Sequence, residues 1–206
     1  MKEESGTTII ALKFKDGVII AADRQTTAGF MVYHRKTQKI HQITENILFG
    51  GAGLVGDIRT LLNVLRANLK LKKLRSKNDV SVGEAANFLA TLMNYYKWTP
   101  FFTEIILVGK DEKGYGIYSI DEAGGVEDFE DFTATGSGMI YALGVLETEY
   151  KKEMTLEEAK EVAKKAVYAA TRRDLGSGGG IEIWTLTDQG INREIFEIKE
   201  AVEKQK

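Results

Sequence analysis

Thr7, Asp23 and Lys39 are the residues near the start of this chain whose types and spacing suit nucleophilic chemistry. Thr7 opens an apolar run, Thr8-Ile9-Ile10-Ala11-Leu12, and Lys15-Asp16-Gly17 then separates it from Val18-Ile19-Ile20-Ala21-Ala22. Turn residues between two apolar runs predict a hairpin. Such a hairpin returns Asp23 to the Thr7 end of the first strand. A third strand beginning near Lys39 would then bring a hydroxyl, a carboxylate and an ammonium together at one end of a sheet. A lone lysine and aspartate form a solvated pair worth about 0–1 kcal/mol. Here, however, Asp23 ends an apolar run and Lys39 directly precedes Ile40, which puts both at the rim of a buried sheet.

Other constellations carry less. Gly51 to Gly56 spells the glycine spacing of a dinucleotide-binding turn, but that unit needs a second strand ending in an acid about 20 residues on. The window here is a basic helix tail, and Ser81 then opens another helix. The glycine run from Gly176 to Gly180 leads into a strand, not into the helix N-terminus that a phosphate would favour. The two histidines, His34 and His41, fit no metal-ligand pattern, and without cysteine there is no thiolate nucleophile or disulfide. No metal or cofactor is expected.

A net charge of −2 gives no electrostatic case for nucleic acid or membrane, and no apolar run approaches the ~20 residues of a span. Met1 to Gly6 has no apolar core of a secretory signal, so the expected compartment is cytoplasmic.

The elements that must position these residues alternate in blocks. After the first hairpin comes a polar loop or irregular hairpin over 25–38, then short strands from Lys39 to Ile43 and Ile47 to Gly51. Ile58, Leu61, Leu62, Leu65 and Leu69 form a helical stripe, followed by the solvated basic tail from Lys70 to Lys77. Capping boxes at Ser81–Glu84 and Thr155–Glu158 open two further helices. Between them lie strands from Thr103 to Gly109 and Tyr115 to Ile120. One further strand runs to about Thr135, and a helix starts at or just after Ser137 with Ile140, Leu143, Leu146 and Tyr150 inward. Alanines at 159, 163, 166 and 170 imply a close approach of the last helix to a neighbour. A closing hairpin, Ile181 to Thr187 and Ile191 to Ile198, precedes a charged tail from Lys199 to Lys206 that is expected to fray. Hairpin-linked strands and paired helices make an α+β fold with mainly antiparallel sheets.

Several stretches together resemble the proteasome β-subunit family of N-terminal-nucleophile threonine peptidases. They are Gly6-Thr7-Thr8, Asp16 to Asp23, Lys39-Ile40, Gly51 to Asp57, Thr135-Gly136-Ser137-Gly138 and Asp174 to Gly180. The resemblance spans about residues 6–198 and implies a four-layer αββα sandwich, with 1–6 a propeptide and 7–206 one domain. It implies cleavage between Gly6 and Thr7, after which the new α-amine, with a pKa near ~8, serves as the base for the Thr7 hydroxyl. Gly6 suits this cut because glycine tolerates strained backbone.

By the same resemblance Lys39 is the cation beside the hydroxyl and Asp23 holds it. Ser137, Asp174 and Ser177 surround the amine, with Asp174 and Ser177 accepting its hydrogen bonds, and the Gly53 N–H faces the developing oxyanion. Ser137 also reads as a helix N-cap. Thr26, Thr37, His41, Gly51 and Val55, with Arg59 at the edge, match the specificity pocket, and Gly51 at its base would leave it deep enough for large apolar side chains. The implied partners are proteasome α subunits and other β subunits in stacked seven-membered rings, an ATP-dependent unfoldase, and unfolded protein substrates. The alternative is a β-type ring subunit that is never processed and serves structure alone.

Overall fold

The computed structural model describes residues 6–198; residues 1–5 of the expected propeptide and the tail from 199 lie outside them. β1 (Ile9–Phe14) and β2 (Gly17–Asp23) form the expected hairpin, pairing Ile9 with Ala22, and the Asp23 N–H extends the ladder to the Thr8 carbonyl at 3.1 Å. β3 (Thr26–Ala28) and β4 (Met31–His34) make a separate two-stranded hairpin. β5 (Ile40–Thr44), β6 (Ile47–Gly53), β7 (Thr103–Asp111), β8 (Gly114–Ile120) and β9 (Val126–Phe129) follow one another across a five-stranded antiparallel sheet. The other sheet runs β10 (Phe132–Thr135), β1, β2, β11 (Ile181–Thr187) and β12 (Gly190–Phe196), also antiparallel.

The two sheets face each other. Ile9, Ile20, Ile40, Leu48, Ile106 and Trp184 fill the space between them. α1 (Val55–Ser76) and α2 (Val82–Tyr95) cover the outer face of the β5–β9 sheet through Leu61, Leu65, Leu89 and Met93. α3 (Met139–Glu149) and α4 (Leu156–Thr171) cover the outer face of the other sheet, where Ala159, Ala163 and Ala166 are fully buried. The result is an αββα sandwich. β1 and β2 are apolar on both sides because both faces of their sheet are covered. Both capping boxes form: Ser81 with Glu84, and Thr155 with Glu158. No helix among the described residues is long and apolar enough to cross a membrane.

Three local expectations are corrected. The single strand expected up to Thr135 is two, β9 and β10, which belong to different sheets; the chain crosses at Glu130-Asp131, and the Asp131 carbonyl accepts the Lys13 N–H at 2.8 Å. Lys39 leads into the opposite sheet from Thr7 and Asp23, so the three groups meet between sheets and not at the end of one. On α3 and at its C-cap, Leu143, Leu146 and Tyr150 pack inward as expected and Ala142 joins them fully buried, whereas Ile140 is 62% exposed.

Candidate active site

The β1–β2 hairpin, the entry to β5 and the two loops after β10 and α4 converge on Thr7, which is 2% exposed. The Lys39 Nζ donates to Asp23 Oδ1 at 2.7 Å, to Thr7 Oγ1 at 3.0 Å and to the Gly6 carbonyl at 3.2 Å. An ammonium has three protons, and these three acceptors use all of them. Thr7 Oγ1 itself donates to the Gly6 carbonyl at 2.8 Å. A hydroxyl, the carbonyl of the preceding peptide bond and a cation are thus mutually in contact in the intact chain.

Asp23 is fully buried and anchors four segments. Oδ1 accepts the Thr8 N–H at 2.8 Å as well as Lys39, and Oδ2 accepts the N–H groups of Gln25 and Gly178, each at 2.9 Å. Burial pushes the Asp23 carboxyl up from its usual value, against the pull of Lys39 and of the Thr8 and Gly178 N–H groups. Burial likewise holds Lys39 below the ordinary lysine value, with Asp23 the main opposing influence. Four donors on two oxygens suit a carboxylate, whose charge in turn favours the ammonium form of Lys39.

Behind the Thr7 nitrogen lies a chain of hydroxyls. The Thr7 N–H donates to Ser137 Oγ at 3.1 Å, and Ser137 donates to Asp174 Oδ2 at 2.7 Å. Ser177 donates to the same oxygen at 2.6 Å, which leaves its Oγ to accept from Thr8 Oγ1 at 2.7 Å. The nitrogen here is still a peptide amide, standing in for the amine that cleavage would release. Asp174 and Ser177 therefore stand behind Ser137, where the sequence expectation had both accepting from the amine. Ser137 is also not the helix cap: Gly138 holds that position without a side-chain bond, which frees the Ser137 hydroxyl for Thr7.

Close packing leaves no room for a side chain at Gly6. A Cβ there would sit 2.2 Å from the Gly176 Cα, and one on Gly176 would sit 2.3 Å from the Gly6 Cα. The two glycines pack backbone to backbone, and Thr27 Oγ1 accepts the Gly6 N–H at 3.0 Å. Gly53 ends β6 with φ +120°, a conformation that favours glycine, and a Cβ there would lie 2.2 Å from the Phe102 carbonyl. The contacts above do not include it.

Of the expected pocket residues, Thr26 and Thr37 share a hydroxyl–hydroxyl bond of 2.6 Å, and the Gly51 N–H donates weakly to the Lys39 carbonyl at 3.4 Å. Val55 opens α1 and is 43% exposed. Ile58 Cγ2 lies 2.9 Å from where a Gly51 Cβ would be, so a larger residue at 51 would have to displace Ile58. Burial and the charges of Arg66, Arg193 and Arg59 push His41 down to about 4, so its ring is neutral at pH 7. A polar cleft of about 1120 Å³ between the α1 C-terminus and the β7–β8 hairpin contains none of these residues. Its walls mix Lys72, Lys77 and Lys113 with Asp79, Glu84 and Glu112, so it favours no ligand charge.

Sequence reasoning missed Thr8, Gln25, Thr27 and Glu182, all buried polar residues around the site. Glu182 carried the one available signal, a carboxylate inside the apolar run Ile181-Ile183-Trp184. A buried charge in such a run requires partners.

Comparison with known proteins identifies the family. A family model described as "Proteasome subunit" matches residues 3–186. "Proteasome subunit beta 1" of Thermococcus onnurineus is 40% identical, over 93% of this chain and 95% of the relative. "Proteasome subunit beta" of Nanoarchaeum equitans is 38% identical over 93% and 98%, and that of Archaeoglobus profundus 37% over 98% and 93%. Across nearly its whole length, then, the chain belongs to the proteasome β-subunit family.

Proposed function

We propose that this chain is a catalytic β subunit, a threonine peptidase whose nucleophile is exposed by its own cleavage of the Gly6–Thr7 bond. The observation that carries the reading is the Lys39 ammonium, held by Asp23 and shared between Thr7 Oγ1 and the Gly6 carbonyl. In the first reaction Thr7 Oγ1 bonds to the Gly6 carbonyl carbon, the C–N bond breaks, and the nitrogen takes up the proton, leaving an ester. Water hydrolyses that ester, releasing Met1–Gly6 as an acid and restoring the Thr7 hydroxyl with a free α-amine.

In turnover the amine accepts the hydroxyl proton as Oγ1 attacks a substrate carbonyl, then passes it to the leaving amine. Water hydrolyses the acyl-ester and frees the enzyme. Lys39 stabilises the alkoxide, Ser137 orients the amine with Asp174 and Ser177 behind it, and the Gly53 N–H serves the oxyanion. Thr26, Thr37, Gly51 and Val55 line the pocket for the residue before the cut. Residues 7–206 act as one domain. The working particle is a cytoplasmic stack of seven-membered rings with α subunits and other β subunits, fed unfolded protein by an ATP-dependent unfoldase.

The test is Thr7→Ala in the assembled particle. Hydrolysis of fluorogenic peptides should vanish and the leader should stay attached, while Thr7→Ser keeps both activities. Substantial turnover by the alanine variant would refute the reading. Full-length mass in an assembled, inactive wild-type particle would support an unprocessed structural subunit instead.

A further inference from the structure

One buried carboxylate near the site has no part in that chemistry. Glu182 is fully buried on β11 and pairs with Ala22, one step from the pairing of Ile181 with Asp23. Its Oε1 accepts the backbone N–H groups of Lys39 at 2.7 Å and Ile40 at 3.2 Å. Its Oε2 accepts from the Trp184 indole at 3.2 Å and the Arg193 guanidinium at 3.1 Å. Burying a carboxylate is costly, and four donors offset the cost only where all are in place. Two of those donors belong to the point where the chain enters β5.

Lys39 is consequently gripped at both ends, its backbone nitrogen by Glu182 and its Nζ by Asp23, each at 2.7 Å. Both carboxylates stand on neighbouring strands of one sheet, while Lys39 leads into the other. The β5–β6 ladder is weak at this end, since the Gly51 N–H to Lys39 carbonyl distance is 3.4 Å. The placement of Lys39 against Thr7 is therefore set by the sheet that carries Thr7, through Glu182.

We propose that Glu182, anchored by Arg193, is a positioning residue that fixes the Lys39 backbone so that Nζ meets Thr7 Oγ1. It acts through Lys39 and touches no substrate. The inference rests on the threonine-peptidase reading above. The carboxylates facing Lys39 come from three elements: Asp23 on β2, Glu182 on β11 and Asp174 in the loop after α4. Glu182 alone among them is tied to an arginine on an edge strand, β12, whose side chain is 32% exposed.

The experiment compares assembled wild-type, Thr7→Ala, Glu182→Gln and Arg193→Gln particles on one fluorogenic peptide across pH. Glutamine offers one acceptor oxygen where four donors need two, so Lys39 shifts; kcat should fall by at least about tenfold with KM within about twofold. The alkaline limb, which reports loss of the Lys39 proton, should move to lower pH because an anion is gone. Arg193→Gln removes a cation from an exposed edge and should move the same limb to higher pH. Opposite shifts are not produced by general loosening of the fold. An unmoved alkaline limb in Arg193→Gln, or near wild-type kcat in Glu182→Gln, overturns the proposal. If Glu182→Gln fails to assemble, the Arg193→Gln profile decides alone. Activity in Thr7→Ala equal to wild type would instead overturn the underlying reading, a separate outcome.

Discussion

The Lys39–Asp23 pair is buried on both sides, at 5% and 0% side-chain exposure, so its substitutions act on stability as well as on chemistry. Lys39→Ala strands a buried carboxylate and should cost about 3–5 kcal/mol along with activity. The double change Asp23→Asn with Lys39→Met removes both charges. Urea unfolding should show most of the stability recovered, whereas peptide hydrolysis should stay absent; recovered hydrolysis would remove Lys39 from the chemistry. Lys39→Arg should also fail, because a planar guanidinium cannot place one point charge among three acceptors 2.7–3.2 Å away. The two facing glycines permit a sharper separation. All three nearest neighbours of a Cβ on Gly176 are atoms of Gly6, which the proposed cleavage would remove. Gly176→Ala should therefore accumulate as uncleaved precursor when made with Gly6, yet be active when Thr7 is exposed by an added protease site. Intact mass and peptide turnover on both forms check this, and normal processing of the first form would show the close packing to be irrelevant.

At the scale of elements, burial of His41 on β5, aided by the charges of Arg66 and Arg59 of α1 and Arg193 of β12, lowers its value from 6.5 to about 4. Between those values the unfolded chain binds a proton that the folded chain does not. Stability should therefore drop as pH falls from about 6.5 towards 4, and be unaffected by this group above 6.5. Solvent reaches part of the ring, so the loss is on the order of 1–2 kcal/mol, less than the full shift would give. With two histidines in the chain, NMR titration resolves His41 directly; a midpoint near 6.5 would refute the buried, cationic environment. Elements of this kind differ in how far the sequence discloses them. The first hairpin and both capping boxes were legible because their signals lie within a few residues. The division of β9 from β10 was not, because only pairing to different sheets distinguishes them. Ile140 fits the helical stripe of α3 with Leu143, Leu146 and Tyr150, yet it stays exposed while Ala142 is buried, a choice made by neighbours and not by spacing. Glu182 meets Lys39 across a separation of 143 residues, which no local pattern encodes. Thr7, Asp23 and Lys39 were legible as a group because the hairpin and the apolar flanks placed them, though between sheets and not along one.

Across the whole molecule, apolar side chains remain outside the cores. Phe30 is 100% exposed, Tyr33 75%, Trp98 88%, Ile140 62% and Leu175 81%. Of these, Leu175 has a direct bearing on the site. It lies between Asp174, which holds Ser137 and Ser177, and Gly176, which packs on Gly6. A neighbour covering Leu175 would restrict the loop from Asp174 to Gly180, and with it the position of the Gly6 carbonyl. The proposed attack by Thr7 would depend on such alignment, where a displacement of about 1 Å can cost 10²-fold. An isolated subunit makes the same contacts, but nothing outside the chain restrains the loop. The chain purified alone should thus keep Met1–Gly6 and hydrolyse no peptide. Mixing with cognate α subunits should bring loss of the leader, with activity rising in step as the mass falls. Mass spectrometry and fluorogenic turnover followed over the same time course decide the matter. A leader lost from the lone chain would break the link between assembly and cleavage. A leader kept in an active particle would exclude the free amine as the base.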